Sequence, residues 1–197
     1  LMKAFRKDSS TPVQKAEAVA VVGGGNVAMD AARCAKRLGA QKVYIVYRRG
    51  MEELPARKEE VEHAEEEQII FRTLCNPVEI LDDGAGKVGG IRCVEMELGE
   101  PDESGRRRPV PVKGSEFETQ VDAVIMALGT QANQMSYAGT PGLEKTRKGC
   151  VAADDHGCTS CPGIFAGGDA ATGAATVILA MGADKLGVKS IDEVLNK

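Results

Sequence analysis

Gly23-Gly24-Gly25-Asn26-Val27-Ala28 fits the pattern G-x-G-x-x-A, a spacing of small residues suited to a backbone that must turn tightly against a diphosphate. The first Gly permits the sharp turn, and the second lets the main chain approach the pyrophosphate. The third small residue, Ala28, allows a helix to pack closely on a strand. Amides at the start of a helix opening at Asn26, with the positive end of its dipole, would hold the phosphates. Glycine-rich strand–helix turns also arise for purely structural reasons, so the motif is judged by its context.

A second set of residues bears on which dinucleotide would fit. An NAD site places Asp or Glu about 20 residues beyond the glycines, where it accepts from the ribose 2′-hydroxyl. Here the chain reads Val46-Tyr47-Arg48-Arg49, with no acid. Two planar guanidinium forks suit a 2′-phosphate, because they pair with its oxygens two at a time. NADP(H) is the expected dinucleotide, and a pair of solvated surface arginines is the alternative.

The elements that must position these residues are legible nearby. Ala18 to Val22 is an apolar run entering the glycine turn, as a buried strand does. From Asn26 to Leu38 the apolar residues recur at helical spacing as a stripe of alanines, and Gly39 ends the helix. Val43 to Tyr47 reads as a second buried strand. These make a βαβ unit with a right-handed crossover. Pro55 is expected to open a second helix running through Glu67, with His63 solvated on its charged face.

Beyond this unit the pattern changes. Residues 69–121 alternate apolar and polar, with turn signals at Asp82-Asp83-Gly84 and Gly89-Gly90. They are expected to form a β-rich insertion with one long hairpin, and Arg106-Arg107-Arg108 reads as a solvated tip. Val121 to Leu128 is a further buried strand closing on Gly129-Thr130. Gly163 to Ala166 reads as a strand ending in Gly167-Gly168-Asp169. A strongly apolar helix is expected from about Gly173 to Met181, then a short amphipathic one at Ile191, Val194 and Leu195.

The expected fold class is therefore α/β, a Rossmann-like domain with a parallel sheet and a β-rich insertion. The expected division is a linker over 1–16, the dinucleotide-binding domain over 17–139, and a further segment over 140–197. Lys+Arg 25 against Asp+Glu 29 gives a net charge of −4, which argues against a nucleic-acid partner. No apolar run approaches the roughly 20 residues that span a bilayer, and no basic, apolar leader opens the sequence. A cytoplasmic setting with reduced thiols is the expectation for the six cysteines.

In combination these blocks resemble a known family. Gly23 to Arg33, followed by Tyr47-Arg48-Arg49 and Glu53-Leu54-Pro55-Ala56, resembles the NADPH domain of the glutamate synthase small (β) subunit family. Ferredoxin:NADP oxidoreductase, sulfide dehydrogenase and dihydropyrimidine dehydrogenase modules are similar. Ala127-Leu128-Gly129-Thr130 resembles the family's crossover strand back to its flavin domain. Gly163 to Asp169, followed by Gly173 to Val177, resembles its second FAD motif.

The resemblance implies a flavoprotein oxidoreductase passing hydride from NADPH to FAD, and electrons onward to iron–sulfur clusters. It places Gly129 and Thr130 near the nicotinamide. Gly168 and Asp169 would lie at the FAD ribityl chain, with Asp169 accepting from it, and the amides of Ala175, Thr176 and Val177 would face the flavin pyrimidine. It requires no acid–base side chain, because the cofactors carry the chemistry. Residues 140–197 then correspond to the C-terminal part of an FAD domain. The family's N-terminal FAD unit and cysteine-rich iron–sulfur region have no counterpart here, and Ala132-Asn133 stand where it often has Pro. The expectation is that the chain alone binds NADP(H) but no FAD. Its partners would be the missing FAD and iron–sulfur region, then a glutamate synthase large subunit or a ferredoxin-like acceptor. A homodimer is one way to cover the apolar helix near Gly173–Met181.

Rival readings remain. Cys158-Thr159-Ser160-Cys161 is a CxxC, as in thioredoxin reductase, but it follows the glycine motif, whereas that enzyme's redox pair precedes it. Cys150, His156, Cys158 and Cys161 could supply four zinc ligands, though at irregular spacing. No metal is therefore expected. A non-enzymatic NADP-sensing module is the last alternative.

Overall fold

The structure, a computed structural model, describes residues 15–196 apart from 102–104, 106, 131, 134 and 136. Within them the chain forms two compact units, the first ending at Leu128 and the second beginning at Gly129. That division falls ahead of the 139/140 boundary read from the sequence. The expected linker lies outside the described residues over 1–14.

The first unit starts with β1 (Ala18–Val22), α1 (Asn26–Arg37) and β2 (Lys42–Val46). A short 3₁₀ turn at Met51–Glu53 and α2 (Lys58–Glu66) follow, then β3 (Ile70–Arg72). β1 pairs in parallel with β2 and with β8 (Ala123–Met126), and β2 pairs in parallel with β3. The sheet order is β3-β2-β1-β8. This is the expected Rossmann-like α/β core.

Both faces of this sheet are covered, which is why its strands read as continuous apolar runs rather than alternating ones. Val19, Val21, Val43 and Ile45 join one buried cluster with Ala28, Met29, Ala31, Ala32 and Ala35 of α1. The intervening Ala20, Val22, Tyr44 and Val46 join a second cluster with Cys75, Ile91 and Cys93. Successive residues of a strand point to opposite faces, so two four-residue runs seed two cores. Each fully buried Val or Ile contributes about 1.5–3 kcal/mol by leaving water. The alanines of α1 let the helix lie close to the sheet.

The second cluster is closed by an antiparallel sheet. β4 (Cys75–Asp82) pairs with β5 (Val88–Pro101), which also pairs with β6 (Arg107–Pro111) and β7 (Phe117–Thr119). The β-rich insertion is present, and three expectations for this unit are corrected. Ile70–Arg72 belongs to the parallel sheet, because its three residues hydrogen-bond beside β2 rather than to β4. Gly89-Gly90 is no turn; Gly90 stands opposite Leu81 inside β5, and the turn is made by Asp82 and Asp83, whose carboxylates accept from the amides of Gly84 and Ala85. The second helix starts at Lys58, not Pro55, because residues 50–57 are held by other bonds described below. Arg107 and Arg108 are exposed on β6, and Arg106 lies outside the described residues.

The second unit holds α3 (Gly168–Thr172) and α4 (Val177–Leu195). Residues 163–166 form no strand; Phe165 makes a single bridge to Cys158, and the segment is fixed by turns instead. Residues 177–195 form one helix rather than two. Thr176 caps it by accepting from the Leu179 amide, and Gly182 and Gly187 sit inside it without breaking it. Gly157, at φ 77°, lies so close to Gly187 that a Cβ there would stand 3.0 Å from the Gly187 Cα. The Ser190 hydroxyl donates to the His156 carbonyl. No helix among the described residues is long and apolar enough to cross a membrane.

Candidate functional site

The glycine turn joins β1 to α1, and the fold requires two of its three glycines. Gly23 adopts φ 143°, and a Cβ on it would lie 2.3 Å from the Ala127 carbonyl oxygen. Its amide donates to the Val46 carbonyl at 3.0 Å, so the turn is wedged between the ends of β2 and β8. A Cβ on Gly24 would lie 2.7 Å from the Tyr47 ring and 2.9 Å from Leu54. Gly25 differs: its φ of −89° and ψ of 176° are open to any residue, and among the described residues a Cβ there would meet nothing within 4 Å. The protein itself does not explain that third glycine.

Gly25 is also the N-cap of α1, and no side chain caps the helix. Its carbonyl accepts from Ala28 and Met29. No acidic residue occupies the first turn, so the positive helix end faces outward without an internal counter-charge. Val27 is exposed and Ala28 is fully buried, as the third small position of the motif requires.

The arginines follow directly after β2. Arg48 is exposed. Arg49 is half-buried, and its Nε donates to the Arg107 carbonyl of β6 at 3.0 Å. Arg49 also carries backbone duty, because its carbonyl accepts from the Leu74 amide. The two guanidiniums are therefore unequal in their freedom to meet a ligand.

Residues 50–57 form a strap against the glycine turn. The Tyr47 hydroxyl donates to the Glu53 carbonyl at 2.8 Å, and the Ala56 amide donates to the Gly24 carbonyl at 3.1 Å. The Arg57 amide donates to the Asn26 side-chain oxygen at 2.9 Å. Beyond the strap, Arg33 and Arg37 of α1 pair with Glu60 and Glu67, which tie α2 to α1. The hydrogen bond from Arg37 holds the Glu67 carboxyl below its ordinary pKa, more than its partial burial raises it.

In the second unit a pocket of about 470 Å³ is lined by Thr130, Ala132, Lys148, Cys150, Asp169, Thr172, Gly173 and Ala174. The structure thus brings Thr130 and Asp169 to one cavity. Gly129 at φ 92° and Gly168 at φ 54° shape the backbone beside those two residues. Ala175, Thr176 and Val177 do not line it; they lead into α4, with the Thr176 hydroxyl engaged as its cap. Lys148 was singled out by no motif, and Cys150 only as one of four candidate zinc ligands. Their place is set by the fold-back of residues 145–151, where Lys145 bridges Val151, a pairing with no local signature.

The rival chemistries find little support in geometry. Among the described residues no group of three or more His, Cys, Asp or Glu could hold a metal ion. Cys158 and Cys161 are free thiols in a turn. The Asp154 carboxylate accepts from the amides of Cys158 and His156, which hold its pKa below the ordinary value, so this acid shapes the turn. In the first unit, a hydrogen bond shared with Cys93, together with burial, pushes the Cys75 thiol up and keeps it protonated and unreactive.

The glycine turn on a parallel sheet, with paired arginines after the next strand, defines a Rossmann-like α/β protein. The chain belongs to the pyridine nucleotide-disulphide oxidoreductase family, whose model matches residues 3–184. It is 45% identical over 187 residues to the NADP(+)-dependent formate dehydrogenase subunit beta of Moorella thermoacetica, covering 94% of this chain and 26% of that protein. It is 40% identical over 182 residues to the glutamate synthase [NADPH] small chain of Escherichia coli (strain K12), covering 90% of this chain and 38% of that one. The chain thus spans well under half the length of these relatives. In fold it is similar to thioredoxin reductase of T. acidophilum, with TM-score 0.74 at 22% identity over 91% of this chain and 53% of that one. FprA of Mycobacterium tuberculosis in complex with NADPH gives TM-score 0.71 at 20% identity over 92% of this chain and 53% of that one.

Proposed function

We propose that this chain is the NADPH-binding part of a flavin-dependent oxidoreductase in which hydride passes from NADPH to FAD and electrons continue to iron–sulfur clusters. Gly25 carries the reading. Its backbone is ordinary and its missing side chain leaves open space above an uncapped helix end, which is what a diphosphate lying on the main chain needs. The Asn26 and Val27 amides would hold the pyrophosphate, with Gly23, Gly24 and Ala28 shaping the turn. Arg48 and Arg49 would meet the 2′-phosphate. The relatives named above, whose names specify NADP(H), favour that dinucleotide.

The same reading divides the chain into an NADP(H)-binding domain over 17–139 and the C-terminal part of an FAD domain over 140–197. The groups lining the pocket of the second unit suit a flavin nucleotide: a carboxylate at Asp169 to accept from ribityl hydroxyls, a cation at Lys148 and a hydroxyl at Thr130. FAD, when bound, supplies the means of taking hydride and releasing electrons singly. The exposed apolar residues Val177, Ile178, Leu179 and Met181 of α4 would be covered by the remaining FAD and iron–sulfur region of the parent protein. A glutamate synthase large subunit or a ferredoxin-like protein is the proposed onward acceptor.

The test is a calorimetric titration of the chain with NADPH and with NADH. Micromolar NADPH binding with much weaker NADH binding, lost on Arg48→Ala, is the expected result. Equal affinity for both dinucleotides would overturn the NADP(H) reading.

A further inference from the structure

Asn26 is the first residue of α1, where a helix begins with amides that need partners and not with a side chain that must accept. Its carboxamide oxygen nevertheless points away from its own helix and takes the amide of Arg57, thirty-one residues on, at 2.9 Å. One residue earlier in the strap, the Ala56 amide donates to the carbonyl of Gly24, two residues before Asn26, at 3.1 Å. Two consecutive amides of the strap are thus held by two members of the glycine motif. At its other end the strap begins immediately after Arg48 and Arg49, and the Tyr47 hydroxyl fastens it at the Glu53 carbonyl.

We propose that Asn26 is a positioning residue that clamps the 50–57 strap onto the glycine turn and thereby sets how well the Arg48 corner meets a 2′-phosphate. This rests on the NADP(H) reading of the site. Arg57 caps α2 with extended backbone (φ −63°, ψ 143°) and no side-chain cap; its carbonyl accepts from the Glu60 and Val61 amides, and its guanidinium pairs with the neighbouring Glu60 at 3.3 Å, so beside the Ala56 bond it is the Arg57 amide that ties the strap to the glycine motif. Releasing the Arg57 amide leaves the Ala56 amide as the one remaining hydrogen bond, among the described residues, between the strap's end and the glycine motif. The arginine corner at its start then loses preorganisation, while the glycine turn keeps its own bonds to Val46 and the packing of Gly23 on Ala127.

The consequence is a split between ligands that carry the 2′-phosphate and those that do not. In the full chain, Asn26→Ala should weaken NADPH and adenosine 2′,5′-bisphosphate by about 3- to 10-fold, the worth of one hydrogen bond, and change NADH by less than about 2-fold. Arg57→Pro provides the partner variant. The native φ of −63° matches the proline ring at about −65°, so the substitution removes the donor at a φ that proline adopts, while the ring Cδ turns the Asn26 oxygen away. Arg57→Ala serves as the reference for the lost side chain. If the clamp acts through the Arg57 amide, adding Asn26→Ala to Arg57→Pro weakens NADPH no further, whereas adding it to Arg57→Ala has its full effect. Amide hydrogen exchange at Arg57, faster in Asn26→Ala, reads the same bond where Arg57→Pro fails to fold. Additive losses in the cycle, unchanged exchange at Arg57, or an equal loss for NADPH and NADH would each overturn the clamp. A wild-type chain that binds no NADPH would remove the site reading itself, whereas NADPH binding untouched by Asn26→Ala removes only this inference.

Discussion

Gly23 stands so close to Ala127 that a single added methyl group would lie 2.3 Å from the Ala127 carbonyl oxygen. This contact joins the start of the glycine turn to the end of β8, and it makes the first glycine a structural requirement. Gly23→Ala, at φ 143° and in collision with backbone, should destabilise the unit by roughly 3 kcal/mol or more. Urea unfolding read by circular dichroism measures it; a loss below roughly 1 kcal/mol would contradict the geometry.

Gly25→Ala is the complementary experiment. Its backbone suits alanine and the added methyl meets no protein atom, so stability should stay within about 0.5 kcal/mol of wild type. NADPH affinity should fall at least about 10-fold, because the methyl occupies the space proposed for the diphosphate. A variant that binds NADPH normally would refute the assignment of that space.

The two arginines should not be equivalent. Arg48→Ala removes an exposed guanidinium and should cost about 10- to 100-fold in NADPH affinity, the scale of a charged hydrogen bond, with little change for NADH. Arg49→Ala should cost less affinity and more stability, since its Nε holds the Arg107 carbonyl of β6. Parallel titrations and melting curves separate the two effects.

A pH-dependent contribution comes from Glu67. The Arg37 hydrogen bond, helped by Arg33, keeps its carboxyl ionised to lower pH than the ordinary 4.5. A depressed carboxylate pKa adds stability that is fully present above the unfolded value and is lost as pH falls through the folded one. Glu67→Gln should therefore be less stable than wild type by at most about 1 kcal/mol at neutral pH, given how exposed Arg37 is. The difference should vanish in acid below the shifted pKa. Urea midpoints of the two proteins across pH 3–7 provide the check, and a gap that persists in acid would assign the effect to packing.

How much of this was legible in the residues depends on the range of the forces involved. The βαβ unit could be read because its signals are local: Val19 to Val22 and Val43 to Val46 are short apolar runs, and α1 shows its alanines at helical spacing. Ile70–Arg72 was misassigned because three residues carry no period, and only pairing with β2 decides their sheet. Gly89 and Gly90 look like a turn, yet the Asp82 and Asp83 carboxylates had already made one. At the site, the glycines and arginines stood out by type. The strap bonds of Ala56 and Arg57 did not, since a backbone amide leaves no mark in a sequence. Lys148 and Cys150 reach their pocket through a fold-back with no motif of its own.

The pairing of β8 with β1 has a consequence in time. Val19 finds Ala123 as its neighbour, and the Asp122 carboxylate accepts from the amides of Glu17 and Ala18, so the central strand waits for a partner made about a hundred residues later. A ribosome releasing this polypeptide exposes β1, α1 and β2 early, but one flank of β1 stays bare until residue 126 has emerged. Contacts of such long sequence separation form late, after their loop entropy has been overcome. The whole antiparallel insertion is therefore synthesised while the edge of the parallel sheet still stands open to solvent and to other nascent chains.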